Sequence, residues 1–304
     1  MCILKTSERS NLKAMRILAL DIGGTRLKYA VYDEYLQEKK RGEIDSLAGE
    51  GAEKLLLQAF TVCDKEDFGL LGISTAGMVS GEGKIVYANE NIPHYTGINL
   101  KEIFEKRYGV AVYVLNDIAA GAMAEVYSSD VNDGTVDTLS PVEDFYYLAL
   151  GTGVGGIFVK NGMVETGAHG ISGQIGYLQS SDGVDLIDRV ASVRGLEKAG
   201  GKKGERLFID AGNGDIHAKT VLKTWSAEVM RLIAMIIGYC DPPKIVIGGG
   251  ISRQGELLLK YLKEQEEVLP VPYRGKTELY TAKNFCGTLG AAVYSLRNSR
   301  KQGE

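Results

Sequence analysis

The sequence predicts an α/β protein built from two similar halves. Three observations carry this reading. Short apolar runs alternate with stretches of helical spacing. One pattern, a buried strand followed by a glycine turn with threonine and a return strand, occurs twice. Glycine is abundant (39 residues) and proline scarce (6) in a chain of 304. That combination favours many tight turns over disorder.

The elements follow in order. Arg16-Ile17-Leu18-Ala19-Leu20 is largely apolar and predicts a buried strand over 16–21. Asp21-Ile22-Gly23-Gly24-Thr25 follows, and Leu27 to Tyr32 predicts a second strand. Two glycines let the backbone turn tightly and approach a ligand closely. Thr25 adds a hydroxyl, and Asp21 adds a carboxylate able to hold a metal-bound water. This is phosphate-turn chemistry, although a plain hairpin uses the same glycines. A third strand is expected near 37–44, a helix over 51–62, and a strand over 68–74 running into Thr75-Ala76-Gly77. A helix is expected over 100–108, and a strand over 110–115 that ends in Asn116-Asp117 before an Ala-rich helix over 118–127.

The second half repeats the opening. A strand over 145–150 leads into Gly151-Thr152-Gly153-Val154-Gly155-Gly156, and a return strand over 157–160 ends at an Asn161-Gly162 hairpin turn. Helical spacing over 215–240 puts Leu222, Trp225, Val229, Leu232 and Ile236 on one buried face, which makes Trp225 core. Pro242-Pro243 ends that helix. A strand over 244–247 then meets Gly248-Gly249-Gly250. Strand-then-glycine thus occurs three times, with Asn116-Asp117 closing another strand. In α/β sheets ligands gather beyond the carboxyl ends of strands, so a nucleotide site is the expectation.

Composition excludes several classes. The net charge of −4 and the lack of a dense Lys/Arg tract give no field for nucleic acid or an anionic membrane. Lys198, Lys202 and Lys203 read as a solvated loop. No run reaches the ~18 apolar residues of a membrane span. Residues 1–14 lack the apolar core of a signal peptide and read as a disordered extension, with Met15 an alternative start. Cys2, Cys63, Cys240 and Cys286 are scattered, as are His94, His169 and His217. That argues for a reducing, cytoplasmic setting and against a disulfide framework or cysteine zinc site.

Taken together, these motifs resemble the ROK family of sugar kinases, within the actin-like ATPase superfamily. The resemblance covers roughly residues 15–296. Its motifs are Asp21–Thr25, Asn116-Asp117-Ile118-Ala119-Ala120, Leu150–Gly156, Ile247-Gly248-Gly249-Gly250-Ile251 and Gly287-Thr288-Leu289-Gly290-Ala291-Ala292. The resemblance implies a two-domain actin-like ATPase (ribonuclease H-like) fold with a cleft between domains. The small domain would span 15–117 and the larger one 118–284, with a helix and tail at 285–304 packing back on the small domain. It implies ATP and Mg²⁺ as cofactors, a small sugar as substrate, and a homodimer. Asp117 would be the base that takes a proton from a sugar hydroxyl, and capping the following helix is its structural alternative. Asp21 would sit near Mg²⁺ through water. Gly23, Gly24, Thr25, Gly151, Thr152 and Gly153 would hold phosphates, and Gly248, Gly249 and Gly250 the adenosine. Gly77, Asn91 and Asn116 would face the sugar.

The chain departs from the family at Gly170-Ile171-Ser172-Gly173-Gln174-Ile175-Gly176-Tyr177. Most members have Glu at the position of Gln174 and a zinc-ligating His at that of Tyr177. Residues 180–188 contain no cysteine, so no structural zinc is expected. Asp188 falls where the family often carries a sugar-binding Glu. An amide donates as well as accepts, so Gln174 and Tyr177 favour a sugar with an acceptor near C1 or C2. The reading is an ATP-dependent kinase acting on the 6-hydroxyl of glucose, N-acetylmannosamine or a β-glucoside. A weakly catalytic, sugar-binding regulator on the same fold is the alternative.

Overall fold

The computed structural model describes residues 15–130, 143–284 and 286–301. The expected extension over 1–14 lies outside them. The chain forms two compact units. Among described residues, the first holds 15–120 and 287–301, and the second holds 121–130, 143–284 and Cys286.

The first unit is built on a five-stranded sheet. Its strands are β1 (Ile17–Ile22), β2 (Arg26–Tyr32), β3 (Glu38–Asp45), β4 (Leu70–Thr75) and β7 (Ala111–Asn116), in the order β3-β2-β1-β4-β7. Helix α1 (Ala52–Cys63) follows β3, the small pair β5 (Met78–Val79) and β6 (Ile85–Tyr87) follows β4, and α2 (Leu100–Tyr108) precedes β7. β2 and β3 run antiparallel, while β1, β4 and β7 are parallel. Central strands covered on both faces read as continuous apolar runs, and β4 is buried at every position. Asn99 caps α2 by accepting from Glu102 N–H at 3.1 Å, and Gly109 ends it at φ 65°.

α3 (Asp117–Asp130) continues directly from β7 and carries the chain from one unit to the other. The second unit has its own five-stranded sheet. β8 (Phe145–Leu150), β9 (Val154–Lys160), β10 (Met163–Val164), β11 (Lys244–Gly248) and β12 (Glu278–Thr281) lie in the order β10-β9-β8-β11-β12. Here too the first three are antiparallel and the last three parallel. The two sheets therefore repeat one topology, as the doubled sequence pattern predicts. The expected single glycine turn over 151–156 is shorter than read: Val154, Gly155 and Gly156 already pair with β8 as strand. Gly156 suits a strand because the Tyr146 ring crosses its Cα, where a Cβ would collide.

Short helices α4 (Ile187–Val190), α5 (Val193–Gly200) and α6 (Gly204–Gly212) precede the long α7 (Ile216–Cys240), and α8 (Glu256–Lys263) follows β11. Asp215 caps α7 by accepting from Ala218 N–H at 3.0 Å, and Asp241, at φ 40°, ends it before Pro242-Pro243. The predicted face of α7 is buried, Trp225 with it. The indole N–H of Trp225 donates to the carbonyls of Ala191 and Ser192, tying α7 to the junction of α4 and α5. Finally α9 (Gly287–Lys301) returns to the first unit and packs on β1, β4 and β7. Buried Glu125 on α3 accepts from the N–H groups of Lys283 and Asn284 at 2.9 and 2.6 Å, fixing the segment that leads into α9.

Candidate active site

In the first unit, β1, β4 and β7 end together. Their register sets Asp21 beside Ser74, Ile22 beside Thr75, and Thr75 beside Asn116. This carboxyl edge gathers Asp21, Asn116 and Asp117. Buried Ser74 donates its hydroxyl to Asp21 Oδ1 at 2.9 Å, orienting that carboxylate. A Cβ on Gly287, the first residue of α9, would lie 2.5 Å from the Asp21 carboxyl carbon. Asp21 thus rests on the amino end of a helix, where a negative charge is favoured.

Asn116 Oδ1 accepts from Ala119 N–H at 2.7 Å and so caps α3. The cap alternative for Asp117 therefore fails. Asp117 occupies the first helical position, where its Oδ1 accepts from Ile118 N–H at 2.9 Å. Its pKa is pushed up to about 6, chiefly by desolvation and further by the negative charge of Asp21, against the Ile118 hydrogen bond. Asp117 is exposed to solvent, so water screens part of the desolvation that drives this rise. A carboxylate with a pKa near neutrality is suited to take a proton.

Gly77 sits at φ 97°, and a Cβ there would lie 2.8 Å from the Tyr87 carbonyl. Its backbone shape is thus set by β6. Asn91 is exposed in a loop in which its N–H donates to Asn89 Oδ1 at 3.2 Å. That loop is anchored by Tyr95, fully buried with its hydroxyl 2.8 Å from Thr75 Oγ1.

The glycines of the phosphate motifs separate into two kinds. Gly23 is tight against the Arg26 carbonyl, Gly153 lies under Asp188, and Gly248 lies under the Tyr147 hydroxyl. Gly249 needs φ 85° and presses on Leu150 backbone. Protein packing accounts for these. A Cβ on Gly24 or Gly250 would meet nothing within 4 Å, and one on Gly151 would make only an ordinary contact. At these three the protein leaves room, which is where a ligand is expected to approach the backbone. Thr25 is exposed beside Gly24.

Gly151 and Thr152 line a cavity of about 530 Å³ in the second unit, together with Val193, Glu197, Lys203, Glu205, Gly250 and Arg253. Its size is that of a cofactor site. Of its lining, the sequence motifs mark only Gly151, Thr152, Gly250 and Ile251. Lys203, read from sequence as loop, borders the cavity, while Lys202 is drawn to Asp210 at 2.7 Å. Gln174 precedes and Tyr177 ends a single tight turn (Ile175–Tyr177), with Tyr177 exposed. Asp188 Oδ1 accepts from Val154 N–H at 2.7 Å. Among the described residues no three His, Cys, Asp or Glu side chains gather as metal ligands. His169 is exposed.

Two repeated sheets, with acid and glycine turns at the carboxyl ends of their strands, define an α/β protein of the actin-like class. The chain belongs to the ROK family, whose model matches residues 17–297. It is 28% identical to N-acetylmannosamine kinase of Salmonella heidelberg, over 92% of this chain and 98% of that one. Its fold matches a ROK family glucokinase from Streptomyces griseus, solved with glucose and AMPPNP, at TM-score 0.72 and 21% identity, over 93% and 99% of the chains. It matches a ROK family protein from Streptococcus pneumoniae, solved with sucrose, at TM-score 0.79 and 22% identity, over 94% and 100%.

Proposed function

We propose that this chain is an ATP-dependent sugar kinase that phosphorylates the 6-hydroxyl of a hexose or hexose derivative. The observation that carries the reading is Asp117, set beside Asp21 at one sheet edge with its pKa raised to about 6. Asp117 takes the proton of the sugar hydroxyl as that oxygen bonds to the γ-phosphorus. The bond to the β–γ bridging oxygen breaks, and ADP leaves with the electron pair. A positioned base contributes typically ~10²–10⁴ in rate, and the rest of phosphoryl transfer is positioning and charge stabilisation.

Backbone N–H groups at Gly23–Thr25 and Gly151–Gly153 hold phosphate oxygens, and the cavity bordered by Gly250 and Ile251 takes the adenosine. The donor set fits Mg²⁺, which commonly keeps its waters and takes one or two carboxylates plus substrate phosphates. Asp21 would hold it through water, and the ion would supply charge neutralisation. Gly77, Asn91, Asn116, Gln174 and Tyr177 are the residues proposed to contact the sugar. Because Gln174 donates as well as accepts, the preferred sugar carries an acceptor near C1 or C2, as N-acetylmannosamine and β-glucosides do. The 28% identical kinase named for N-acetylmannosamine supports that class.

The test is ADP release with glucose, N-acetylmannosamine, N-acetylglucosamine, fructose and a β-glucoside. The unmodified chain is compared with Asp117→Asn and Gln174→Glu. Sugar-dependent ADP release that Asp117→Asn abolishes is expected. No release with any sugar would defeat the enzyme reading and leave a sugar-binding regulator. Best turnover on glucose, undiminished by Gln174→Glu, would defeat the specificity.

A further inference from the structure

Asp188 lies where the family resemblance implies a sugar ligand, yet its contacts lie elsewhere. Oδ1 accepts from Val154 N–H at 2.7 Å. The same oxygen packs on Gly153, where a Cβ would lie 2.6 Å away, and on Gly176, where a Cβ would lie 3.2 Å away. One carboxylate oxygen therefore touches both the exit of the second phosphate loop and the turn that carries Tyr177. Five residues on, Val193 N–H donates to the Gly151 carbonyl at 2.9 Å. The segment 188–193 thus grips the loop at its entry and its exit. Gly156 N–H donates to the Gly173 carbonyl at 2.8 Å, and Gly173 and Gly176 press on the carbonyls of Gly156 and Val154 with no room for a side chain. The segment carrying Gln174 is fastened to the strand that leaves the phosphate loop.

From this geometry we infer that Asp188 is a positioning residue of the phosphate loop, and that it ties the loop to the Gln174–Tyr177 segment. An aspartate is short enough to reach the Val154 N–H from α4 and still clear Gly153. Its charge makes the hydrogen bond a strong one. The loop can present its remaining N–H groups to phosphate only if its own turn is held, and Asp188 holds it.

The inference rests on the kinase reading in one respect: the loop must bind nucleotide. The test therefore measures binding of ATP with Mg²⁺ by titration calorimetry in the absence of sugar, and separately the KM for sugar. Removing a hydrogen bond to a charged group predicts that Asp188→Ala weakens ATP binding roughly tenfold. Its sugar KM should stay within about twofold, since the Gln174–Tyr177 segment keeps its own tie to β9 through Gly156 N–H and the Gly173 carbonyl. Asp188→Asn keeps an acceptor oxygen and should restore ATP binding. Gly153→Ala should mimic Asp188→Ala by displacing the carboxylate. The double variant should then be no worse than Asp188→Ala alone, because the collision is gone. A raised sugar KM with unchanged ATP binding would overturn the inference, as would an Asn variant as impaired as Ala. If Asp188→Ala does not fold, Asp188→Asn decides: normal ATP binding and normal sugar KM are expected, and a raised sugar KM overturns it. Failure of the unmodified chain to bind ATP defeats the kinase reading instead.

Discussion

Asp117 concentrates two opposing demands in one side chain. Its folded pKa is raised from 3.8 to about 6, so the folded state holds a proton that the unfolded chain has released between those values. Stability from this group is present at low pH, falls as pH rises through the window, and is absent above about 6. Above that window the ionised carboxylate is a cost to the fold, moderated by the water that reaches it. Asp117→Asn removes that cost and should melt at a higher temperature than the unmodified chain at pH 8, while losing at least ~10²-fold in turnover. Titration calorimetry should find its ATP binding intact. Turnover of the unmodified chain should fall as pH drops through about 6, because a protonated Asp117 cannot accept. A flat profile between pH 5 and 8 would remove Asp117 as the base. Gly24 offers the complementary experiment. A Cβ there meets no protein atom, so Gly24→Ala should leave the melting temperature unchanged while raising the KM for ATP. Loss of stability instead would mean the glycine serves the fold.

At the scale of elements, helices close on strands and on each other through glycine. Gly290 of α9 presses on the Ala120 carbonyl, Gly72 of β4 on the Ala291 carbonyl, and Gly287 on the Asp21 carboxylate. α9 thereby lies close enough to the sheet for buried Thr288 to meet the Tyr32 hydroxyl at 3.2 Å. Gly290→Ala should cost about 1–3 kcal/mol in denaturant unfolding, as overpacking of a dense interior does. Gly287→Ala should cost turnover first, since its methyl displaces Asp21 rather than backbone. The same helix shows what sequence could reveal. Gly287-Thr288-Leu289-Gly290 was legible as a family motif, but its partners 170–266 residues earlier were not. Those are tertiary facts. The short elements α4 to α6 were illegible for a different reason. With four to nine residues each, they complete too few turns to show a period.

For the whole molecule, the doubled sheet was the legible feature, because a strand, a glycine turn and a return strand are each local signals and repeat in order. The cavity of the second unit, proposed above for nucleotide, was only half legible. Val193, Glu197, Glu205 and Arg253 converge on it from α5, α6 and the turn after β11, and no local pattern links them. The segment where the family carries zinc ligands tests the whole fold. Here residues 178–187 close on themselves. Ser180 N–H donates to the Asp185 carbonyl at 2.9 Å, and Ile187 N–H to the Leu178 carbonyl at 2.8 Å. Asp182 Oδ1 accepts from Ser180 Oγ at 2.6 Å, Val184 N–H at 2.8 Å and Asp185 N–H at 3.2 Å. These bonds, that from Ser180 foremost, hold its pKa below the usual carboxylate range. Hydrogen bonds thus close this segment on itself. The expected result is a melting temperature at pH 7.5 that excess EDTA leaves unchanged, with ATP-dependent stabilisation that Mg²⁺ restores. Asp182→Ala should lower the melting temperature at pH 7.5. Its effect should fade as pH drops below the ordinary Asp range, where the unmodified carboxylate is protonated too. A fall of several degrees in EDTA alone would instead reveal a structural metal.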